Sequence, residues 1–232
     1  MIASPGRSGV TEYSGYVVTD AIVARATGQW FDSSDGQHWW FDSGSLALDF
    51  AYTGAMKPRN AHEADDSIER ARAVSDGEHL PRPADLADWL ADRFAGLDAT
   101  CTEHDLRDAL TLRAAVAALA VAASDGDKPA TEDIDVVNVF AATGDIPPVL
   151  AGGSRQAGRS RPTARQSLST IARDAVRLFG PNAGGRIRQC AAEDCSMIYL
   201  DSSRGGNRRW CSMQRCGNRA KVRAHRARAR QS

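Results

Sequence analysis

Four segments in the middle of the chain carry apolar residues at the spacing of an amphipathic helix. Polar faces, capping residues and helix breakers separate these apolar stripes from one another. The chain is therefore predicted to be mainly α, with a helical N-terminal body, a few short strands and a small C-terminal module. The predicted helices start at Pro83, run from a cap at Thr102 to about Ala123, run from a cap at Thr131 to about Ala142, and cover 164–179.

A different pattern precedes these helices. Leu46, Leu48 and Phe50 alternate with smaller or polar neighbours, which predicts a strand or an extended lead-in. Residues 1–38 are rich in Gly, Ser and Asp, so we expect a poorly ordered N-terminal extension there, with order beginning near Trp39. We divide the chain into this extension (1–38), a helical body (39–182) and a C-terminal module (183–232).

Four of the five cysteines lie close together near the C-terminus. Two close pairs separated by a longer loop are typical of a four-thiolate Zn²⁺ site, here at the wide end of the usual spacing within a pair. Two disulfides, which would need an oxidising compartment, and an iron–sulfur cluster are the alternatives. The predicted Zn²⁺ ligands are Cys190, Cys195, Cys211 and Cys216.

The module itself is predicted to be a β-hairpin followed by a basic helix. Arg186–Cys190 and Met197–Leu200 have the character of two short strands that flank the first ligand pair. Cys211 and Cys216 would point about 140° apart on one regular helix, so Cys211 should precede the helix and Cys216 should lie in its first turns. Ser212 is the predicted helix cap.

The formal net charge is zero, yet the charges are unevenly distributed. Residues 1–152 carry 11 Lys and Arg against 25 Asp and Glu, whereas residues 186–232 carry 12 against 3. A basic end on an acidic body predicts an anionic partner for the C-terminal module. Double-stranded DNA is the first expectation, and RNA is the alternative.

The predicted C-terminal helix carries basic residues on two faces and contains no acidic residue to offset their repulsion. We expect phosphates to supply the missing anions, with a solvated, frayed tail as the alternative. Asn218 could bond a base edge or a nearby backbone group, and the second role is favoured. The predicted nucleic-acid contacts are Arg208, Arg209, Arg215, Asn218, Arg219, Lys221, Arg223, Arg226 and Arg230.

Nothing in the sequence predicts a membrane span or an export signal. The longest strictly apolar run, Ala114–Ala123, is far shorter than the roughly 20 residues that cross a bilayer. The histidines are scattered, and no phosphate loop, nucleophile elbow or paired-His motif occurs. We therefore expect a cytoplasmic protein, associated with the nucleoid if it binds DNA, that is not an enzyme.

The last cysteine pair lies in a recognisable signature. Cys211–Arg219 reads CSMQRCGNR and resembles the signature of the CGNR zinc-finger family, which is named for the residues of Cys216–Arg219. The Cys190–Cys195 pair, the stretch Leu200–Ser203 and the stretch Arg208–Cys211 fit the same pattern.

The body resembles the usual N-terminal partner of that finger, the ABATE domain of stress-induced transcription regulators. The match rests on Leu46–Thr53 and Leu86–Leu90, with Tyr52 standing where the family pattern predicts Asn. The resemblance implies a zinc-dependent, DNA-binding transcription regulator whose body senses a small molecule or a stress signal, or forms a homodimer. A zinc-dependent RNA-binding protein and a metal-stapled protein-interaction module remain the alternative functions.

Overall fold

The computed structural model describes most of the chain beyond its N-terminal segment. The described ranges are 27–32, 38–56, 77–94, 96–97, 100–147, 161–181 and 185–230. The predicted poorly ordered extension falls mainly on residues 1–26 and 33–37, which lie outside these ranges.

Helices form most of the described structure, and two small hairpins accompany them. The helices are α1 (Leu46–Ala51), α2 (Pro83–Arg93), α3 (Glu103–Asp125), α4 (Thr131–Ala141), α5 (Ala164–Phe179) and α6 (Asn218–Ala229). The antiparallel hairpins are β1 (Gln29–Asp32) with β2 (His38–Phe41), and β3 (Ile187–Gln189) with β4 (Ile198–Leu200). The prediction of a mainly α fold with a small C-terminal module is confirmed.

Reciprocal hydrogen bonds determine where the two longest helices begin. At the start of α3, the Thr102 hydroxyl accepts a bond from the Asp105 amide, and the Asp105 carboxylate accepts one from the Thr102 amide at 2.8 Å. Thr163 and Gln166 form the same capping box at the start of α5. At the other end of α3, Gly126 adopts a left-handed conformation with φ of 76°, which terminates the helix.

Two predictions about helix starts and strands are wrong. Thr131 does not cap α4 but is its first helical residue, and the preceding Ala130 has no side chain that can cap. Leu46, Leu48 and Phe50 do not form a strand, because they lie in α1, a short helix buried on all sides. A helix without a polar face has no amphipathic period, so the alternation of these residues was misleading.

Side chains distant in sequence hold α1 in place. The Asp174 carboxylate of α5 accepts bonds from the Ser45 hydroxyl at 2.6 Å and from the Ala47 amide at 2.9 Å. This carboxylate therefore caps the positive end of α1 from another helix.

Most buried apolar side chains form one cluster, the body core, between α1, α2, α3, α4 and α5. Helix α3 is central because α1, α4 and α5 all pack against it. The most deeply buried members include Leu48, Phe50, Leu86, Leu90, Leu112, Val116, Leu168 and Ile171.

A second cluster, the metal-site core, surrounds the four ligand cysteines. Its other members are Phe31, Trp39, Phe41, Tyr52, Ala192, Met197 and Tyr199. The hairpin β1–β2 contributes three of these aromatic side chains from its inner face. Order therefore begins before Trp39, contrary to prediction, because Phe31 of β1 packs into this core.

Buried polar contacts tie the hairpin to the body. The Asp49 carboxylate accepts bonds from the Gly28 amide and the Ser43 hydroxyl, each at 2.6 Å. Arg93 donates to the Gly28 carbonyl at 3.1 Å. Burial raises the pKa of Asp49 to about 6, although its hydrogen bonds and Arg93 favour the charged form.

Strand β4 lies between the two cores. Ile198 packs in the body core, whereas its neighbours Met197 and Tyr199 pack in the metal-site core. Ile187 of β3 also reaches the body core. The side-chain alternation of a strand thus joins the C-terminal module to the body.

Candidate metal centre and basic surface

The structure brings the four predicted ligands together. The sulfurs of Cys190, Cys195, Cys211 and Cys216 all lie within 4.8 Å of one another, and all four residues are buried. The sulfur of Cys211 is 3.6 Å from that of Cys195 and 3.5 Å from that of Cys216.

This arrangement fits a tetrahedral Zn²⁺ ion. Sulfurs bound at about 2.3 Å to tetrahedral zinc lie about 3.8 Å apart, close to the separations found here. Four buried thiols leave no coordination position for water or substrate, which is typical of a structural zinc site rather than a catalytic one. The four cysteines therefore form a Zn²⁺ site.

Each ligand is positioned by a short backbone element. Cys190 follows β3, and its amide donates to the Met197 carbonyl at 2.8 Å. Cys195 closes a tight turn through a bond from its amide to the Ala192 carbonyl at 3.1 Å. Cys211 precedes the helical segment and Cys216 lies inside its first turn, as the angular argument predicts.

That first turn differs from the prediction. Met213–Gly217 forms a π turn, with the Gly217 amide donating to the Ser212 carbonyl at 3.0 Å, and α6 starts only afterwards. Ser212 precedes the turn but makes no side-chain cap, so its predicted role is wrong. The wider π turn suits the five-residue ligand spacing, which a regular helix would rotate out of line.

The thiols share protons within the cluster. Hydrogen bonds from Cys195 and Cys211 lower the pKa of Cys190 to about 7. Hydrogen bonds from the other three thiols, and one from Arg219, also lower the pKa of Cys216. Hydrogen bonds with the other three thiols, of which that with Cys190 has the largest effect, raise the pKa of Cys211. Bound Zn²⁺ would take the place of these shared protons.

An acidic residue missed by the sequence reasoning stands beside the metal site. Asp194, between the first two ligands, forms ion pairs with Arg219 at 3.1 Å and with Arg223 at 2.8 Å. Arg219 also donates to the sulfur of Cys216 at 3.2 Å. The only available signal was the position of Asp194 between two ligands, because no acidic residue occurs on the helix itself.

The predicted basic contacts divide into two groups. Arg208 is engaged inside the protein, because its guanidinium lies 4.2 Å from the Tyr199 ring centre and donates to the carbonyls of Cys211, Trp210 and Asp42. Arg215 lies over the Trp39 ring. Arg219 donates a hydrogen bond to the Cys216 sulfur and forms an ion pair with Asp194. The second group consists of exposed side chains: Arg209, Lys221, Arg223, Arg226 and Arg230.

Asn218 and Gly217 have local structural contacts. The Asn218 side-chain amide donates to the Gln214 carbonyl at 3.2 Å, one of the two roles considered for it. A Cβ at Gly217 would lie 2.7 Å from the Met213 sulfur and 3.3 Å from Trp210. Gly217 therefore makes room for these two side chains of the module.

Tyr52, which departs from the family pattern, connects the body to the zinc module. Its hydroxyl donates to the Ile198 carbonyl at 3.0 Å and accepts from the Ile198 amide at 2.7 Å. Burial raises the pKa of Tyr52, so the hydroxyl stays protonated at neutral pH. No sequence motif indicated this contact, because its partners are 146 positions apart.

A helical body that shares its packing with a closed four-cysteine site defines a zinc-finger protein. Family models match residues 186–229 to the CGNR zinc finger and residues 44–181 to ABATE, described as "Putative stress-induced transcription regulator". The chain belongs to the ABATE family and carries a CGNR zinc finger.

Three further findings concern the class of the protein, its relatives and its helices. Both matched families are regulatory or zinc-finger types rather than enzymes. A search of curated proteins found no match to the chain. Within the described ranges, no helix is both long enough and apolar enough to span a membrane.

Proposed function

We propose that the protein is a zinc-dependent transcription regulator that binds double-stranded DNA through its C-terminal module. The observation that carries the proposal is the exposure of α6. Every residue from Lys221 to Arg230 is exposed, and this stretch contains five Lys and Arg residues and no acid. An exposed cationic helix fixed at one end by a metal site suits the phosphates of a duplex.

The side chains offered for DNA are the exposed ones. The phosphate contacts in this proposal are Arg209, Lys221, Arg223, Arg226 and Arg230. Arg208 and Arg219 support the module through the partners that their guanidinium groups have inside the protein. Asn218 is a candidate for local helix support rather than base reading.

Salt dependence tests the proposal. Five phosphate contacts predict that the logarithm of the association constant falls with the logarithm of salt concentration with a slope of about −4 to −5. Replacing Arg223, Arg226 and Arg230 by Gln should flatten the slope by up to about three units. Fluorescence anisotropy of a labelled duplex, titrated with the zinc-loaded full chain at several salt concentrations, gives both values.

A matched control variant distinguishes direct contact between α6 and DNA from a general effect of the protein's net charge. Replacing Arg107, Arg165 and Arg177 by Gln changes the net charge equally, but these exposed residues belong to the body. The proposal expects an almost unchanged slope. Equal flattening in both triple variants would contradict DNA contact by α6, and tighter binding of structured RNA at the same salt would favour the RNA alternative.

We propose that the body supplies the regulatory input. A cleft of about 350 Å³ lies between the end of α3, α4 and the end of α5, and its lining is mostly apolar, with Leu119, Val137 and Phe179 among its residues. That volume falls in the range of small-molecule sites. Ile134 and Val176, which line this cleft, and Val139 of α4 are exposed and provide a surface for homodimer contact.

Two measurements test the body's role. A thermal-shift screen of small apolar compounds should find one whose stabilising effect disappears in Val137→Asp, while the zinc content stays unchanged. Sedimentation should give a dimer that Val139→Asp converts to a monomer. A monomer at all concentrations without any stabilising compound would leave the body with neither role.

A cytoplasmic, nucleoid-associated location follows from DNA binding and is proposed with it.

A further inference from the structure

A groove with an unusual concentration of guanidinium groups runs beside the metal site. We call it the arginine groove; its volume is about 360 Å³. The π turn contributes two of its lining residues, and α6 contributes the others. Its lining residues are Gln214, Arg215, Asn218, Arg219, Val222, Arg223 and Arg226. No acidic side chain is among these lining residues.

The groove holds donors without acceptors. Nη1 of Arg215 and Nε of Arg219 are buried and have no hydrogen-bond partner in the part of the chain that the structure describes. Oδ1 of Asp194 is a buried acceptor that is likewise unpaired, so the two donors outnumber this one acceptor. Buried polar groups are almost always hydrogen-bonded, so unpaired guanidinium donors indicate a missing acceptor. Carboxylates and phosphates match the fork of such donors.

The guanidinium groups are held in position before any ligand arrives. Arg215 lies with its guanidinium 4.7 Å from the centre of the Trp39 ring. Asp194 fixes Arg219 and Arg223 from the side, through ion pairs at 3.1 Å and 2.8 Å. A site whose cations are already oriented loses less freedom on binding than a set of mobile surface side chains.

Charge decides the class of ligand. Four guanidinium groups face the groove, and Asp194 is the one carboxylate that the described structure pairs with any of them. The excess of positive charge suits a phosphate group, which carries more charge and more acceptor oxygens than a carboxylate.

We propose that the arginine groove is a discrete phosphate-binding site. This inference rests on the proposed function in one respect: a backbone phosphate of bound DNA is the expected occupant. The same chemistry would also accept the phosphate of a free small molecule. Binding of a phosphate in the groove differs from general attraction to α6, because it depends on position and not only on charge.

Two variants of α6 distinguish a phosphate bound in the groove from general attraction to the helix. Arg226 lines the groove and Arg228 does not, although both are exposed arginines of α6. Arg226→Gln and Arg228→Gln therefore remove the same charge from neighbouring positions. Equal zinc content in both full-length proteins would confirm that neither substitution disturbs the metal site.

Each protein is titrated with two probes. One is a labelled DNA duplex at fixed salt. The other is inorganic pyrophosphate, whose binding is monitored through the NMR signals of the arginine side chains. Arg226→Gln should weaken duplex binding about tenfold, the effect of losing one charge-assisted hydrogen bond. Arg228→Gln should weaken it only about twofold to threefold, as one screened charge does. Pyrophosphate should shift the Arg215 and Arg219 signals, and Arg226→Gln should weaken that binding.

The possible outcomes separate the two proposals. Equal loss of duplex binding in both variants, with no localised pyrophosphate shift, would overturn the groove while leaving DNA binding in place. Binding of pyrophosphate in the groove without any duplex binding would support the groove for a free phosphate compound and overturn the proposed function. Binding of neither probe would overturn both.

Discussion

Replacing Tyr52 by Phe removes one oxygen atom from the contact between body and zinc module. That hydroxyl makes two buried hydrogen bonds, one from the Ile198 amide at 2.7 Å and one to the Ile198 carbonyl at 3.0 Å. Leaving a buried donor or acceptor without its partner costs about 1–3 kcal/mol. Two such groups predict a loss of about 2–6 kcal/mol in the free energy of unfolding. The ring stays, so its edge contacts with Phe31 and Phe41 persist.

Urea unfolding of the zinc-loaded protein, followed by circular dichroism, measures this loss. Tyr199→Phe is the matched control, because the Tyr199 hydroxyl makes one bond, to the Arg208 carbonyl at 2.7 Å, within the module. The control should lose about 1 kcal/mol. Tyr52→Phe should also release zinc faster to a chelator, since β4 leads from one ligand pair toward the other. A loss in Tyr52→Phe no larger than that in the control would refute the reasoning.

Three further predictions follow from the buried contacts. Cys216→Ser should abolish the binding of one zinc ion per chain and change the Trp39 fluorescence, because the indole packs in the metal-site core; full zinc content by elemental analysis would contradict this. Asp49 ionises near pH 6 in the folded protein but near 3.8 when unfolded, so its contribution to stability falls as pH rises between these values, by about 3 kcal/mol in total. The difference in unfolding free energy between the wild type and Asp49→Asn, measured from pH 4 to pH 7 (roughly the window between the two pKa values), should therefore change with pH, and a constant difference would show that Asp49 does not titrate there. Asp174→Ala should cost about 1–2 kcal/mol by removing the cap of α1, as measured by thermal unfolding; Asp145→Ala, which removes an exposed partner of Arg173, is its control and should cost less than about 1 kcal/mol.

The contrast between α1 and α5 shows how far local patterns reach. The one-sided apolar stripe predicts α5 over its full length, and the structure adds a Thr163 capping box that also lies within this local stretch. The same reasoning misplaces Leu46, Leu48 and Phe50 in a strand or an extended lead-in, since burial on all sides removes the polar face that would mark a helix. Helix α1 is stabilised by its neighbours and by Asp174, a residue 127 positions away from Ala47.

The candidate site shows the same division. Thiolate chemistry and the spacing of two cysteine pairs identify the zinc ligands from the sequence alone, because the four residues lie within one short segment. The family signature in that segment is equally local. The arginines are visible in the sequence too, but their roles are not, since each long side chain can reach several partners.

Only the tertiary structure decides which arginines support the metal site and which stay exposed. Arg219 turns inward because Asp194 and the Cys216 sulfur lie within reach, while Arg226 lines a groove that the π turn and α6 form together. Tyr52 acquires its role in the same way, through packing that brings α1 against β4. Local sequence determines helix ends and metal ligands because those interactions span a few residues. Contacts between distant segments depend on how the whole chain packs, which local patterns do not encode.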